Sequence, residues 1–69
     1  MSIIVRLDVV LAKRKMSSQE LAERIGISTV MLSRIKTGKI KGIRFETLEH
    51  ICRELDCAPG DILELSEEE

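Results

Sequence analysis

The residues best suited to chemistry form a stripe of short polar side chains around a single arginine. Their spacing is that of one side of an α-helix, and they are Thr29, Val30, Ser33, Arg34 and Thr37. Leu32 and Ile35 fall on the opposite side. Arginine pairs with guanine in the major groove of DNA, and valine or threonine touches a thymine methyl group. The stripe predicts a surface that reads base edges, although a helical hairpin in any small bundle explains the apolar positions equally well.

A histidine and two cysteines form the second set that could carry chemistry. Their spacing, H-x-C-x4-C, matches no common zinc motif, and helical periodicity puts Cys52 on an apolar face that His50 does not share. We interpret Cys52 as a buried core thiol and both cysteines as reduced, and Cys57, in a turn, is the better candidate for a reactive or a structural exception. Because there is one histidine and no glycine-rich phosphate loop, we predict no metal site, no cofactor and no enzymatic activity.

Two short helices joined by a tight turn must position the stripe. Residues 17–38 read SSQELAERIGISTVMLSRIKTG. Ser17 is predicted to cap the first helix, with Glu20 completing an S-x-x-E capping box. The predicted apolar face of this helix comprises Leu21, Ala22 and Ile25. Gly26 falls where the chain must turn sharply, a position that favours the positive φ accessible to glycine.

The second helix of the pair carries the stripe. Ser28 is predicted to cap it and Gly38 to end it. Its predicted buried face comprises Met31, Leu32 and Ile35. Met31 occupies the third helical position, where an acid would help the cap but would face phosphate oxygens. The absence of an acid there therefore favours DNA.

The rest of the chain predicts a small helical domain. The spacing of apolar residues predicts a first helix over Leu7–Lys15 and a fourth over Phe45–Leu55, with a loop over residues 39–44 before the fourth. Pro59 suits the first position of a short final turn, Ala58–Leu63.

Both ends of the chain carry short apolar runs. Ser2–Arg6 suits a strand, and a closing strand that begins near Ile62 could pair antiparallel with Ile3–Val5. We predict one domain, residues 1–65, and a disordered acidic tail, residues 66–69. A homodimer is expected because a chain this short buries only about 60% of its unfolded surface. The candidate contact residues for the homodimer are Ile62, Leu63 and Leu65.

Charge is segregated along the sequence, although the net charge is only −1. Residues 1–45 contain ten basic and three acidic residues, whereas residues 46–69 contain one basic and nine acidic residues. From Arg24 to Phe45 there are six basic residues and no acidic one. This predicts a basic face suited to double-stranded DNA and a solvated acidic pole. Because no apolar run could span a membrane and no signal peptide is evident, we expect a cytoplasmic protein.

The helical pair resembles the Cro/repressor-type helix-turn-helix family, also called the XRE-like family. The resemblance lies in L-A-x-x-x-G-I-S followed by S-R-I-x-x-G and in the later run T-L-E-H-I-C-R-E-L, and it extends over about residues 7–63. It implies an all-α, lambda-repressor-like fold of five helices, to which a two-stranded antiparallel sheet joining the termini can be added. Members of the family bind operator DNA as dimers, with the third helix in the major groove.

The resemblance also implies roles for individual residues. Ser18 and Gln19 would open the second helix near phosphate. The recognition helix would present Ser28, Thr29, Val30, Ser33 and Arg34, and the residues toward the DNA backbone would be Lys36, Thr37, Lys39 and Lys41. Two positions depart from the family pattern, because many members have glutamine in place of Ser18 and glutamate in place of Lys36.

The sequence as a whole predicts a sequence-specific DNA-binding transcriptional regulator, with repression favoured, that acts as a homodimer on operator DNA. No small-molecule site is evident. The alternative is a protein-interaction module with the same fold, such as an antitoxin or an accessory subunit. That alternative would need a separate partner-binding segment, and the sequence offers only SEEE beyond the domain.

Overall fold

Five short helices and a two-stranded sheet make up the described part of the chain. The computed structural model describes residues 2–67, in the order β1 (Ser2–Val5), α1 (Leu7–Arg14), α2 (Ser18–Ile25), α3 (Thr29–Lys36), α4 (Phe45–Leu55), α5 (Pro59–Ile62) and β2 (Leu63–Ser66). The antiparallel register pairs Ser2 with Ser66, Ile3 with Leu65, Ile4 with Glu64 and Val5 with Leu63. The predicted five-helix fold with a small sheet joining its ends is confirmed. Ser66, placed in the tail by the sequence, belongs to β2, and residues 68–69 of that tail lie outside the described residues.

One apolar core holds the helices together, and every helix contributes to it. Its buried members are Leu7, Val10, Leu11, Leu21, Ala22, Leu32, Ile35, Leu48, Ile51, Cys52, Leu55 and Ile62. No polar or charged residue in the described part of the chain is buried. α2 packs against both α3 and α4, which fixes the helical pair from its apolar side. The opposite side of α3 is left facing outward.

Six large apolar side chains of the described residues stay outside this core, among them Phe45 and Met31. Phe45, the only aromatic residue of the chain, is 89% exposed at the start of α4. Met31 is 45% exposed, so the prediction that it is buried is wrong. It lies in the first turn of α3, on a flank that lines an open groove beside the loop preceding α4. Only Leu32 and Ile35 of α3 face the core directly.

Serine side chains cap α2 and α3 as predicted. The Ser17 hydroxyl accepts a hydrogen bond from the N–H of Glu20 at 3.1 Å, and the Ser28 hydroxyl accepts one from the N–H of Met31 at 3.0 Å. The reciprocal half of the predicted capping box is replaced by another contact. The Glu20 carboxylate accepts from the Arg24 guanidinium at 2.6 Å, four residues later on the same side of the helix.

The carboxyl end of α4 is capped from α1. Arg14 Nε donates to the carbonyl oxygen of Leu55 at 2.6 Å, and its Nη2 donates to that of Asp56 at 2.9 Å. Carbonyl groups at a helix end lack partners within the helix, and a cation there also interacts favourably with the helix dipole. Arg14 therefore ties the first helix to the fourth.

Arg14→Met is expected to lower the free energy of unfolding by about 1–2 kcal/mol, because it removes two hydrogen bonds from a charged donor at a partly exposed site. Lys13→Met is the matched control, since Lys13 is exposed in the same turn and makes no ion pair within residues 2–67. Urea unfolding of both variants measures the difference. Equal losses of stability would contradict the capping role.

Candidate nucleic-acid interface

The turn between α2 and α3 depends on one glycine. Gly26 has φ +76°, and its N–H donates to the carbonyl oxygen of Ala22 at 2.9 Å, which ends α2 in the left-handed conformation predicted from the sequence. The cap of α3, Ser28, follows two residues later. Because the link is so short and both helices pack on the core, the orientation of α3 is fixed. Gly38, with φ +74°, lies just beyond α3.

The outward side of α3 carries the predicted stripe. All five of its residues are exposed, and together with Lys39 they line one shallow depression: Thr29, Val30, Ser33, Arg34 and Thr37. Val30 is 64% exposed, so it offers an apolar surface of the kind that fits a thymine methyl group. The structure therefore brings the stripe residues together on one accessible surface.

The polar groups of this side of α3 differ in what they can offer. Thr37 Oγ1 donates to the carbonyl oxygen of Ser33 at 2.9 Å, which leaves the threonine methyl group as the part available to DNA. The Ser28 hydroxyl oxygen accepts the capping hydrogen bond from Met31, and its O–H proton can still be donated to DNA. In the described part of the chain, the Ser33 hydroxyl and the Arg34 guanidinium make no side-chain hydrogen bond. Arg34 is thus the long polar side chain on the outward side of α3 that is free to reach a base.

Unpaired cations lie on α3 and in the segment that follows it. We define the basic surface as Arg34, Lys36, Lys39, Lys41 and Arg44, none of which forms an ion pair within residues 2–67. Arg24 lies in the same acid-free stretch of sequence but is neutralised by Glu20 at 2.6 Å and Glu54 at 3.5 Å. The first turn of α3 contains no acidic residue. The unpaired positive charge of the stretch therefore lies on α3 and on the loop after it, and Arg34 and Lys39 line the depression with the other stripe residues.

The remaining predicted contact residues differ in exposure. Gln19, Lys39 and Lys41 are exposed, whereas Ser18 and Lys36 are half-buried. Ser18 is the first helical residue of α2, next to the capping Ser17. That these five residues contact DNA stays a prediction.

Arg44 belongs to the basic surface, although the helix-turn-helix pattern did not include it among the contact residues. It is exposed at the position before α4, where its side chain makes no capping hydrogen bond. Its guanidinium is therefore available to an external anion. The signal that could have identified it was the acid-free stretch from Arg24 to Phe45.

The histidine and the cysteines are not arranged as a metal site. Among residues 2–67, no three side chains of the types that bind metals lie close enough together to hold an ion. His50 is exposed on α4, whereas Cys52 is buried, as its apolar periodicity predicted.

A helix-turn-helix whose second helix turns an exposed, acid-free surface outward defines a class of DNA-binding domain. Comparison with known families agrees, because the model of the Cro/C1-type HTH DNA-binding domain matches residues 6–68. The chain belongs to this family. The predicted family, and with it the prediction of a DNA-binding regulator that is not an enzyme, is confirmed.

Two individual proteins illustrate the relationship. Over its whole length, the chain is 58% identical to the uncharacterized HTH-type transcriptional regulator YozG of Bacillus subtilis (strain 168), and it covers 82% of that protein. The crystal structure of a proposed DNA-binding protein from Bacteroides fragilis is similar, with a TM-score of 0.81 and 25% sequence identity. That match covers 91% of this chain and 100% of the other. Among the described residues, no helix is long and apolar enough to cross a membrane.

Proposed function

We propose that this chain is a transcriptional repressor that binds operator DNA as a homodimer, with α3 in the major groove. The outward side of α3 carries the proposal, because one unpaired arginine stands there among short side chains and no acid is present. Arginine reads guanine and small apolar groups fit thymine methyl groups, so such a surface favours particular base pairs. Occupation of an operator would exclude the transcription machinery. Its place of action would be the cytoplasm.

Contacts with phosphates would supply most of the affinity and fix the position of α3. Lys39, Lys41 and Arg44 are exposed cations in or next to the loop after α3. Ser18 and Gln19 stand at the beginning of α2, where backbone N–H groups of a helix also attract phosphate. Such contacts set register, whereas sequence is read by groups that reach base edges. We therefore assign base contacts to Thr29, Val30, Ser33 and Arg34. We assign backbone contacts to Ser18, Gln19, Ser28, Lys36, Lys39, Lys41 and Arg44. Thr37 can add only a van der Waals contact through its methyl group, because its hydroxyl donates to Ser33.

The sheet supplies the surface that we propose for the homodimer. Ile62 is fully buried and Leu63 packs against the core, so Leu65 is the exposed member of the three predicted contact residues. Leu65 is 59% exposed, and its partner across the sheet, Ile3, is 61% exposed. A two-stranded sheet is only marginally stable without further packing. A second copy placed against this apolar pair would cover it.

This interface suits a two-fold symmetric operator. The sheet lies beside the end of α3, because a Cβ atom at Gly38 would stand 3.9 Å from Cγ2 of Val5. A partner across the sheet would bring the carboxyl ends of the two α3 helices toward the symmetry axis. Dimers of this motif place their half-sites about one helical turn, roughly 34 Å, apart.

Binding to duplex DNA is expected to weaken steeply as salt rises. Each phosphate contact contributes about −0.9 to the slope of log K against log salt, because bound cations release counterions. Lys36, Lys39, Lys41 and Arg44 on four phosphates would give a slope of about −3.6 for each subunit. Fluorescence anisotropy with labelled duplex across a salt series measures the slope. An affinity that does not change with salt would contradict the assignment of these four cations to phosphates.

Selection from random duplexes tests the sequence-specific part of the proposal. The expected result is enrichment of a two-fold symmetric site with half-sites one helical turn apart. A pool that binds with a steep salt dependence but shows no enrichment would leave general DNA binding in place and contradict an operator.

A further inference from the structure

The end of α4 brings the two cysteines together. Asp56 has φ +49°, the left-handed conformation that ends the helix. The N–H of Cys57 donates to the carbonyl oxygen of Cys52 at 3.0 Å, and the N–H of Asp56 donates to that of Arg53 at 3.3 Å. This pair of bonds is a Schellman motif, in which the side chains at the positions of Cys52 and Cys57 commonly touch.

The two thiols do interact in the structure. Their side chains are close enough for each thiol to influence the pKa of the other, and both line one open groove beside Pro59. Cys57 is half-buried, whereas Cys52 is 9% exposed and belongs to the core. Cys57 is therefore the thiol that a small molecule in the groove reaches first. DNA binding, as proposed above, uses neither cysteine.

We propose that Cys52 and Cys57 form a reversible intramolecular disulfide when the protein meets a peroxide. The Cys57 thiol loses its proton, and its sulfur attacks one peroxide oxygen, which breaks the O–O bond and gives a sulfenic acid. The Cys52 sulfur then displaces the sulfenic oxygen as water and forms the S–S bond. Two thiols are oxidised, and one hydrogen peroxide is reduced to two molecules of water. The bond joins the last turn of α4 to the segment that begins α5.

The surroundings of the pair set the pH dependence of this reaction. The pKa of Cys57 is raised to about 11, chiefly by burial and in part by the neighbouring Cys52 and Asp61, while Arg14 of α1 acts in the opposite direction. Burial also raises the pKa of Cys52, the neighbouring Cys57 thiol opposes this, and Asp61 adds to it. Because the thiolate is the reactive form, oxidation is slow near neutral pH and accelerates about tenfold for each unit of rising pH.

The test is oxidation of the reduced full chain with hydrogen peroxide in dilute solution at pH 7, 8 and 9. The expected product has lost both free thiols and about 2 Da in mass, remains a single chain, and returns to the starting mass with dithiothreitol. Peptide mapping without reductant is expected to find Cys52 joined to Cys57. The rate is expected to rise with pH over the whole series.

Two variants assign the roles of the thiols, with circular dichroism to show that each is folded. Cys57→Ser is expected to keep the Cys52 thiol unoxidised under conditions that consume the wild-type pair. Cys52→Ala is expected to stop at the sulfenic acid of Cys57, which dimedone traps. Three results would each overturn the proposal. They are disulfides between chains, a gain of oxygen without the loss of about 2 Da, and thiols that persist through the pH series. A rate that does not depend on pH would overturn the assignment of Cys57 as the attacking thiol.

Discussion

Arg34→Ala is expected to remove the preference for guanine at one position of each operator half-site. Arg34 is exposed on the outward side of α3, and no ion pair or side-chain hydrogen bond holds it within residues 2–67. A bidentate arginine–guanine contact contributes about 1–3 kcal/mol of discrimination, which corresponds to roughly 5-fold to 150-fold in relative affinity. The measurement is the affinity of wild type and variant for the selected operator and its single-base mutants.

Lys39→Ala is the matched control for this experiment. Lys39 is also an exposed cation that lines the same depression, but it follows Gly38 and stands outside α3. Its loss is expected to weaken binding to all sequences alike and to reduce the salt slope by about one. Measuring both variants at two salt concentrations separates a base contact from a phosphate contact.

If Arg34 contacts a phosphate and not a base, the two variants will give a different result. If Arg34→Ala and Lys39→Ala both lower affinity uniformly and keep the wild-type base preferences, Arg34 rests on phosphate. Recognition would then depend on the short side chains of the stripe, which are Thr29, Val30 and Ser33. The thymine methyl groups would carry more of the specificity in that case.

The sequence was most informative where structure depends on neighbouring residues. Ser17 and Ser28 cap their helices because a hydroxyl at that position meets the N–H three residues later. Gly26 takes a positive φ because the turn after α2 requires one. These local rules, together with helical spacing of apolar residues, were enough to predict the two helices and the outward stripe.

Contacts between residues that are far apart in the sequence could not be predicted from such local rules. Nothing in the spacing indicates that Arg14 caps a helix that ends 41 residues later, or that Arg24 reaches Glu54 across the bundle. The sequence analysis counted Arg24 in the basic stretch, but its charge is neutralised by ion pairs with Glu20 and Glu54. The same limit applies to the hydroxyl of Thr37, which bonds to its own helix although the motif places it toward DNA.

The three apolar residues predicted to form the dimer contact lie on both sides of the boundary between α5 and β2. Ile62, Leu63 and Leu65 look alike in the sequence, but α5 ends at Ile62 and β2 begins at Leu63. Ile62 turns into the core with its helix, whereas the strand carries Leu65 past the edge of the core. Sequence periodicity does not locate such a boundary within one residue. The residues that we propose for the dimer contact are therefore Leu65 and its partner across the sheet, Ile3.

Leu65→Asp is expected to convert the dimer to a monomer and to lower operator affinity by about 100-fold to 10,000-fold. A charge placed at the centre of an apolar contact loses hydration without gaining a partner, so the second copy no longer docks. Each subunit must then bind its half-site alone, and the gain from two linked sites, about 10²–10⁴, is lost. Sedimentation equilibrium at micromolar concentration measures the dimer, and anisotropy with the selected operator measures the affinity.

Val9→Asp is the matched control for the dimer experiment. Val9 is an exposed apolar residue, 40% accessible, but it lies on α1 rather than on the sheet. This variant is expected to remain dimeric and to bind the operator as the wild type does, since the same change of charge is made away from the proposed interface. If Leu65→Asp also remains dimeric, the sheet is not the interface, and the exposed Phe45 at the start of α4 becomes the surface to test. A wild-type chain that is monomeric both in solution and on the operator would contradict the homodimer itself, because each half-site would then be read by an independent subunit.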